Sequence, residues 1–309
     1  MTCGYVPPSV PLSVGGVLDE WLRIFRASFR RSWTPPLLMI PLTAWMQFYG
    51  VSPVVYRSTH GAPLGQALMQ IAATFGTARN LGSQFVLFVA AMGLRGLVMA
   101  QQVSVVRGDG TATFRSSLQD GLRRLPRLIL VLLLVLLISA AVLVAGSFGV
   151  GALIGLAEGA ISIAPTAERL VATGLIIIVG AYLWVRLGLS LAAIFADDYG
   201  AAASLARSWR LVKGHWWRVA GVVFVATIVI WIVALSFTGL VNILVLHVLM
   251  SGAPSAHRLA FVMTSIGNVV IEPLAAAVEL AIYFDLRLRL EGGDLAARVE
   301  ALSAASHAA

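Results

Sequence analysis

Apolar blocks, each about as long as a membrane crossing, alternate along the chain with short stretches rich in arginine and aromatic residues. A spanning helix needs about 20 mainly apolar residues. By that rule six spans are expected, over about 35–56, 85–106, 128–150, 170–195, 219–249 and 261–284. Pro41 and Pro53 interrupt the first of them. The third and fifth blocks exceed the length needed, so one end of each is expected to tilt or to leave the lipid.

The stretches between spans keep a helical rhythm. Over 13–33, Val14, Leu18, Trp21, Leu22, Phe25, Phe29 and Trp33 share one face, while Asp19, Glu20, Arg23, Arg26, Arg30 and Arg31 lie mostly off it. Large aromatics opposite arginines are the pattern of a helix lying on a membrane surface. The same pattern recurs over 113–127, with Phe114, Leu118, Leu122 and Leu125 on one face, and over 201–218, with Leu205, Trp209, Val212 and Trp216. Each of these segments precedes a pair of spans. The second and third copies align at an offset of 91, which sets Ser117 on Ser208, Arg127 on Arg218 and Arg95 on Arg186. The expected architecture is therefore an all-α integral membrane protein. Six transmembrane helices form a bundle, as three repeats of an interfacial amphipathic helix plus two spans. With no long polar linker, residues 1–295 are expected to form a single polytopic membrane domain, and 296–309 a cytoplasmic tail. The segment 57–82 would be the largest connection on the opposite side and is expected to hold a short surface or re-entrant helix.

Composition agrees with a membrane protein. The chain is 59% hydrophobic and 12% charged, against about 25% charged for a soluble domain. Its net charge is +8, carried by 21 arginines and one lysine. Mapped onto the six spans, sixteen of these cations fall on one side and four on the other. That asymmetry places both termini in the cytoplasm. Nucleic acid is not the expected partner, because the arginines alternate with membrane-seeking aromatics. Anionic membrane lipids are the closer match, and a membrane-protein partner or a second copy of the chain is the further expectation. The single cysteine, Cys3, excludes an intrachain disulfide and a cysteine metal cluster. No cleavable signal peptide is expected, since no small-residue cleavage site follows the first apolar block.

Four ionisable residues fall inside the expected spans: Arg95, Arg186, Glu272 and Glu279. Charges in hydrocarbon cost several kcal/mol unless they pair or face a cavity. Matching depths suggest Arg95 with Glu272 and Arg186 with Glu279. Pro273, next to Glu272, frees a backbone carbonyl and is expected to kink its helix. These four residues form a candidate intramembrane polar site, read either as a polar path or as two structural ion pairs. Asp197 and Asp198 begin the third basic connection. Two aspartates fall short of a metal site and are better read as partners of the basic helix. The five histidines are scattered, and no HExxH, GxSxG or P-loop pattern occurs. No cofactor and no enzymatic activity are expected. His215, in His215-Trp216-Trp217, reads as a headgroup anchor rather than a base.

Three segments carry a family resemblance. They are Pro11–Trp33, Ser204–Val219 and the run YFDLRLRLEGGDL from Tyr283 to Leu295. Each resembles a segment of bacterial multi-span membrane proteins related to the glycerophosphoryl diester phosphodiesterase membrane domain. The resemblance implies a multi-pass protein of the bacterial plasma membrane, an anchor or accessory domain without the hydrolase. It also implies that Asp285, Arg287 and Glu291 act jointly. Arg287 and Arg289 follow an aromatic pair where a helix would leave the membrane. Asp197, Asp198, Arg210, Asp285, Arg287, Arg289 and Glu291 thus make a candidate cluster at the cytoplasmic interface.

The leading functional expectation is a non-enzymatic membrane protein that binds or transports a lipidic or amphiphilic substrate. The alternative is a structural or assembly partner of a membrane complex. A lesser one is a membrane enzyme on lipid phosphate esters, with Asp197, Asp198, His215 and Asp285 converging.

Overall fold

The computed structural model describes residues 10–45, 78–108, 114–158, 178–245 and 256–291, with positions 5, 7, 8 and 174 besides. Regular structure among these residues is entirely helical. In order come α1 (Val14–Ser32), α2 (Thr34–Leu37), α3 (Met39–Trp45), α4 (Ala78–Val106) and α5 (Phe114–Glu158). There follow α6 (Ser190–Asp197), α7 (Ala201–Val212), α8 (Trp216–Asn242), α9 (Ala256–Thr264) and α10 (Asn268–Glu291).

Among the described residues, three helical segments are long and apolar enough to cross a membrane: Val89–Val106, Ile178–Asp197 and Trp216–Val245. This corrects the expected bundle of six transmembrane helices in three repeats, and the reasons are local. The block expected at 35–56 begins as two short helices, α2 and α3, of four and seven residues. Pro35, Pro36 and Pro41 each lack the N–H that a continuous helix needs, and 46–56 lie outside the described residues. The block expected at 261–284 is cut by a 3₁₀ turn at Ser265–Gly267. There the hydroxyls of Thr264 and Ser265 donate to the Ala260 and Val262 carbonyls, at 2.8 and 2.5 Å. Such back-bonding competes with the regular ladder. The helix that follows, α10, carries Glu272, Glu279 and Asp285 and is largely buried. The elements expected separately at 113–127 and 128–150 are one 45-residue helix, α5, which runs through Pro126.

What does face outward is strongly apolar. On α8, Phe224 is 66% exposed, and Trp231, Ile232, Leu235 and Leu240 are exposed with it. On α5, Leu130, Leu133, Leu136 and Leu137 are exposed. Exposed apolar area this continuous needs hydrocarbon as its solvent. The chain is a multi-pass α-helical membrane protein.

α1 shows how sequence and position fit. Its buried stripe is Val17, Trp21, Ile24, Ser28 and Ser32, spaced three or four residues apart. Ser28 and Ser32 satisfy their hydroxyls on the Ile24 and Ser28 carbonyls, so small polar residues sit in the core at little cost. Leu22 and Trp33, expected on one apolar face with Trp21, are exposed while Trp21 is buried. Arg23, Arg26 and Arg30 occupy the third sector. A helix with a packed, an apolar exposed and a charged sector fits the membrane boundary.

The chain divides into two compact units. One comprises Met1–Tyr5, Leu22–Gly121 and Ala226–Ala277, the other Val6–Trp21, Leu122–Val225 and Val278–Ala309. In the first unit, Thr43 donates to Ser265 (3.1 Å), which ties α3 to the 3₁₀ turn. Val241, Val245 and Ala260 form a small core covered by Phe237, Leu259 and Met263. Gly267 permits this approach, since a Cβ there would meet the Phe237 ring at 2.8 Å. In the second unit, α7 packs on α6, whose Ala192 to Ala196 are wholly buried.

Candidate functional site

Alternating charge at the end of α10 builds an ion-pair network in the second unit. Residues four apart share a helix face. Asp285 therefore meets Arg289 at 3.2 Å, and Arg287 meets Glu291 at 2.9 Å. The rest comes from far along the chain. Arg218, in the first turn of α8, reaches Asp285 at 2.9 Å. The Leu12 amide donates to the same carboxylate at 2.8 Å. The Leu12 carbonyl accepts from both Arg218 (2.6 Å) and Arg289. Asp285 is almost fully buried, with its side chain 2% exposed. It is held by two guanidiniums and one amide, and the strap before α1 is threaded between them.

A second cluster joins α6, α7 and α10. Asp197 accepts from Arg287 (2.8 Å) and from the Tyr283 hydroxyl (2.5 Å). Glu291 accepts from Arg287 and from Arg207, whose guanidinium also packs over Tyr199. Asp198, in left-handed backbone conformation, caps α6 and binds Arg127 at 2.8 Å and Arg124 at 3.3 Å. Arg124 also donates to the Phe195 carbonyl at the negative end of α6.

The electrostatics follow from these contacts. Burial raises the Tyr283 hydroxyl well above its ordinary pKa, and its bond to Asp197 raises it further. It remains a donor throughout the physiological range. Burial pushes Glu291 upward, but hydrogen bonds and charge from Arg207 and Arg287 outweigh it and hold the carboxyl below its usual range. A lowered folded pKa gives stability that is present above the unfolded value, about 4.3, and lost as pH falls through the folded value. Glu291 is well exposed, so screening limits this to about 1 kcal/mol or less. The detergent-solubilised protein should lose thermal stability on acidification from about pH 6 to about pH 3, through both values, and Glu291→Gln should lose less. A thermal melt at both pH values measures the difference, and identical losses would detach Glu291 from the acid response.

Of the sequence candidates, Asp197, Asp198, Asp285, Arg287, Arg289 and Glu291 meet in these clusters. Arg210 is exposed on α7, outside them. The intramembrane candidates divide between the units. Arg95, on α4, and Glu272, on α10, are half-buried in the first unit. Glu279, on α10, is half-buried in the second. Arg186 also lies in the second unit, where it donates to the Tyr182 hydroxyl (3.1 Å) and the Trp209 carbonyl (3.2 Å) rather than to a carboxylate.

Sequence reasoning missed several participants, among them Arg124 and Arg127, which hold Asp198. Arg218, Arg207 and the Leu12 backbone complete the ion-pair network. Gln102 sits in the first unit, fully buried, and donates to the Pro273 carbonyl at 2.7 Å. A glutamine pair within the apolar stretch Val89–Val106 of α4 was the available signal. Gln101 and Gln102 are both buried, and neither side-chain oxygen has a hydrogen-bond partner; nor has Oε2 of Glu272, the residue before Pro273. No group of three or more His, Cys, Asp or Glu able to hold a metal occurs among the described residues.

One family model, described as a domain of unknown function (DUF7847), matches residues 38–286. The chain belongs to the DUF7847 family. Neither the curated proteins nor the solved structures include a match. The DUF7847 match takes in Asp197, Asp198, Arg207, Arg218 and Asp285, while Leu12, Arg287, Arg289 and Glu291 lie outside it. It does not connect the chain to the glycerophosphoryl diester phosphodiesterase membrane domain. What stands of that resemblance is an integral, multi-span α-helical membrane protein.

Proposed function

We propose that this protein is a non-enzymatic component of the bacterial plasma membrane that binds a lipidic or amphiphilic molecule and helps it across or along the bilayer. The observation that carries this reading is the polar layer in the first unit. Gln101 and Gln102 are buried with unanswered oxygens, and Glu272 has one as well. An unmet buried polar atom costs about 1–3 kcal/mol, and hydrocarbon offers it nothing. Water or the polar end of a passing molecule would satisfy all three.

The basic segments support placing the ion-pair network at the cytoplasmic face. The Leu12 contacts with Asp285 and Arg289 bring the strap before α1 to the last turns of α10, which supports both ends of the chain on one side. The commitment of so many charges to holding helices together favours, as a second reading, a scaffold within a membrane complex.

Liposome transfer tests the proposal. Purified protein in vesicles with a fluorescent phospholipid should accelerate movement of that lipid between leaflets, read by chemical quenching from outside. Gln102→Leu and Glu272→Gln should each slow it about fivefold while leaving reconstitution intact. Equal rates with and without protein, or unchanged rates in both variants, would remove the lipid-movement reading.

A further inference from the structure

In the second unit, Arg186 carries a charge that no carboxylate answers among the described residues. Its Nε and Nη1 are occupied by the Tyr182 hydroxyl and the Trp209 carbonyl. Its guanidinium lies 4.7 Å from the centre of the Trp209 ring and 5.3 Å from that of Tyr182. Tyr182 stacks on Trp216 with centroids 5.8 Å apart, and Trp217 meets Trp216 edge-on at 4.6 Å. The guanidinium is thus fixed in an aromatic collar, with Nη2 left to donate. The Trp216 indole N–H, a donor only, is also without an acceptor.

The surroundings define what would fit. Ile178, Trp184, Trp217 and Phe224 are exposed apolar residues of this unit, Trp217 by 84%. Arg210 and Lys213, on and just after α7, are exposed cations. From Tyr199 to Arg218 there is no Asp or Glu. A planar, oriented guanidinium suits a phosphate oxygen pair. Aromatic side chains with one polar atom suit the headgroup boundary. The extra cations disfavour a ligand that brings a positive group of its own.

We propose that Arg186, in its collar of Tyr182, Trp209 and Trp216, is a seat for the phosphodiester of an anionic phospholipid, with Arg210 and Lys213 selecting for net negative charge. The proposal rests on the lipid-handling reading and names the class of lipid. The acyl chains would lie along Ile178, Trp184 and Phe224.

Native mass spectrometry of the full chain, released from mixed micelles of phosphatidylglycerol and phosphatidylcholine, tests it. The protein should retain phosphatidylglycerol about tenfold over phosphatidylcholine. Arg186→Gln should bring that ratio near parity, and Arg186→Lys should lower it, because an ammonium does not stack as a plane. Should Arg186→Gln fail to fold, the exposed pair Arg210→Gln with Lys213→Gln should still cut the preference about threefold. Equal retention of the two lipids by the unaltered chain would overturn the seat. So would a preference that survives Arg186→Gln and the double variant, or displacement of the lipid by millimolar glycerol phosphate, which would mark a soluble-anion site. Loss of lipid transfer with the phosphatidylglycerol preference intact would sink the transfer reading and leave the seat. Transfer by the unaltered chain with equal retention of the two lipids would sink the seat alone.

Discussion

Replacing Asp285 with asparagine is expected to cost about 3–5 kcal/mol of folding stability, the range for removing one partner of a buried ion pair. The carboxylate is 2% exposed and answers Arg218 at 2.9 Å and Arg289 at 3.2 Å. It also holds the Leu12 amide. Asparagine keeps the shape but takes away the charge, and it turns an amide N–H₂ toward guanidiniums that themselves only donate. The Leu12 carbonyl would still accept from Arg218 and Arg289, so the strap should loosen rather than vanish. Two readouts follow. Unfolding in detergent, followed by tryptophan fluorescence, should shift to markedly lower temperature. Limited proteolysis should cut ahead of α1 well before it cuts elsewhere. A variant with unaltered melting and no new cleavage would show that the buried charge is not what holds the strap.

That network was only partly legible in the sequence. The pairs Asp285 with Arg289 and Arg287 with Glu291 follow from helical spacing once a helix is assumed. Asp197 and Asp198 were readable as partners of basic residues, because adjacent acids in a basic, apolar chain have few other roles. Arg218 and Leu12 were not readable. They lie 67 and 273 residues from Asp285, and no local pattern distinguishes Arg218 from its neighbours. Arg186 was misleading for a related reason. Its place within an apolar run suggested a carboxylate partner, but rings and a backbone carbonyl hold it. Aromatic packing of this kind depends on a helix contact that the sequence does not announce.

The spans show the limit of counting apolar residues. Length and composition located Val89–Val106, Ile178–Asp197 and Trp216–Val245, because each stays apolar over its whole length. Elsewhere the same rule treated breaks as blemishes. The described start of the first block, with its three prolines, is two short helices rather than one, and hydroxyls bonded to their own backbone open the last block at Ser265. The stretch around Pro126 misled in the other direction. A surface helix was expected to end at 127 and a span to begin at 128, yet α5 runs through both that junction and the proline just before it. Pro126 and Leu122 are both exposed, so the carbonyl that the proline ring leaves unpaired is not trapped in a dry core.

Ser208 gives the second large effect, and it follows from a break of the same kind. The span Ile178–Asp197 turns at Gly188 and Leu189 before α6 resumes. A Cβ on Gly188 would lie 2.7 Å from the Trp184 carbonyl oxygen, so this turn accepts only glycine without a backbone shift. The turn leaves backbone groups in need of partners inside the protein. Ser208, fully buried on α7, supplies both: its hydroxyl donates to the Arg186 carbonyl at 2.7 Å and accepts from the Leu189 amide at 3.2 Å. One side chain thereby mends the ladder and fixes α7 against the span at the level of Arg186. Ser208→Val removes both bonds and adds one methyl group, the same added volume as Ser208→Thr, so the difference between the two variants isolates the hydroxyl. With a stranded donor and a stranded acceptor at about 1–3 kcal/mol each, the expected loss is about 2–6 kcal/mol. Ser208→Thr retains the hydroxyl and should lose less, provided the added methyl is accommodated. Melting temperatures of the two variants, with phosphatidylglycerol retention measured on each, separate the consequences. Ser208→Val should lose stability and lipid preference together, because Arg186 is positioned by the turn that Ser208 holds. If Ser208→Val melts like the unaltered chain, water or another group must already serve the two backbone atoms. The turn would then not depend on the serine.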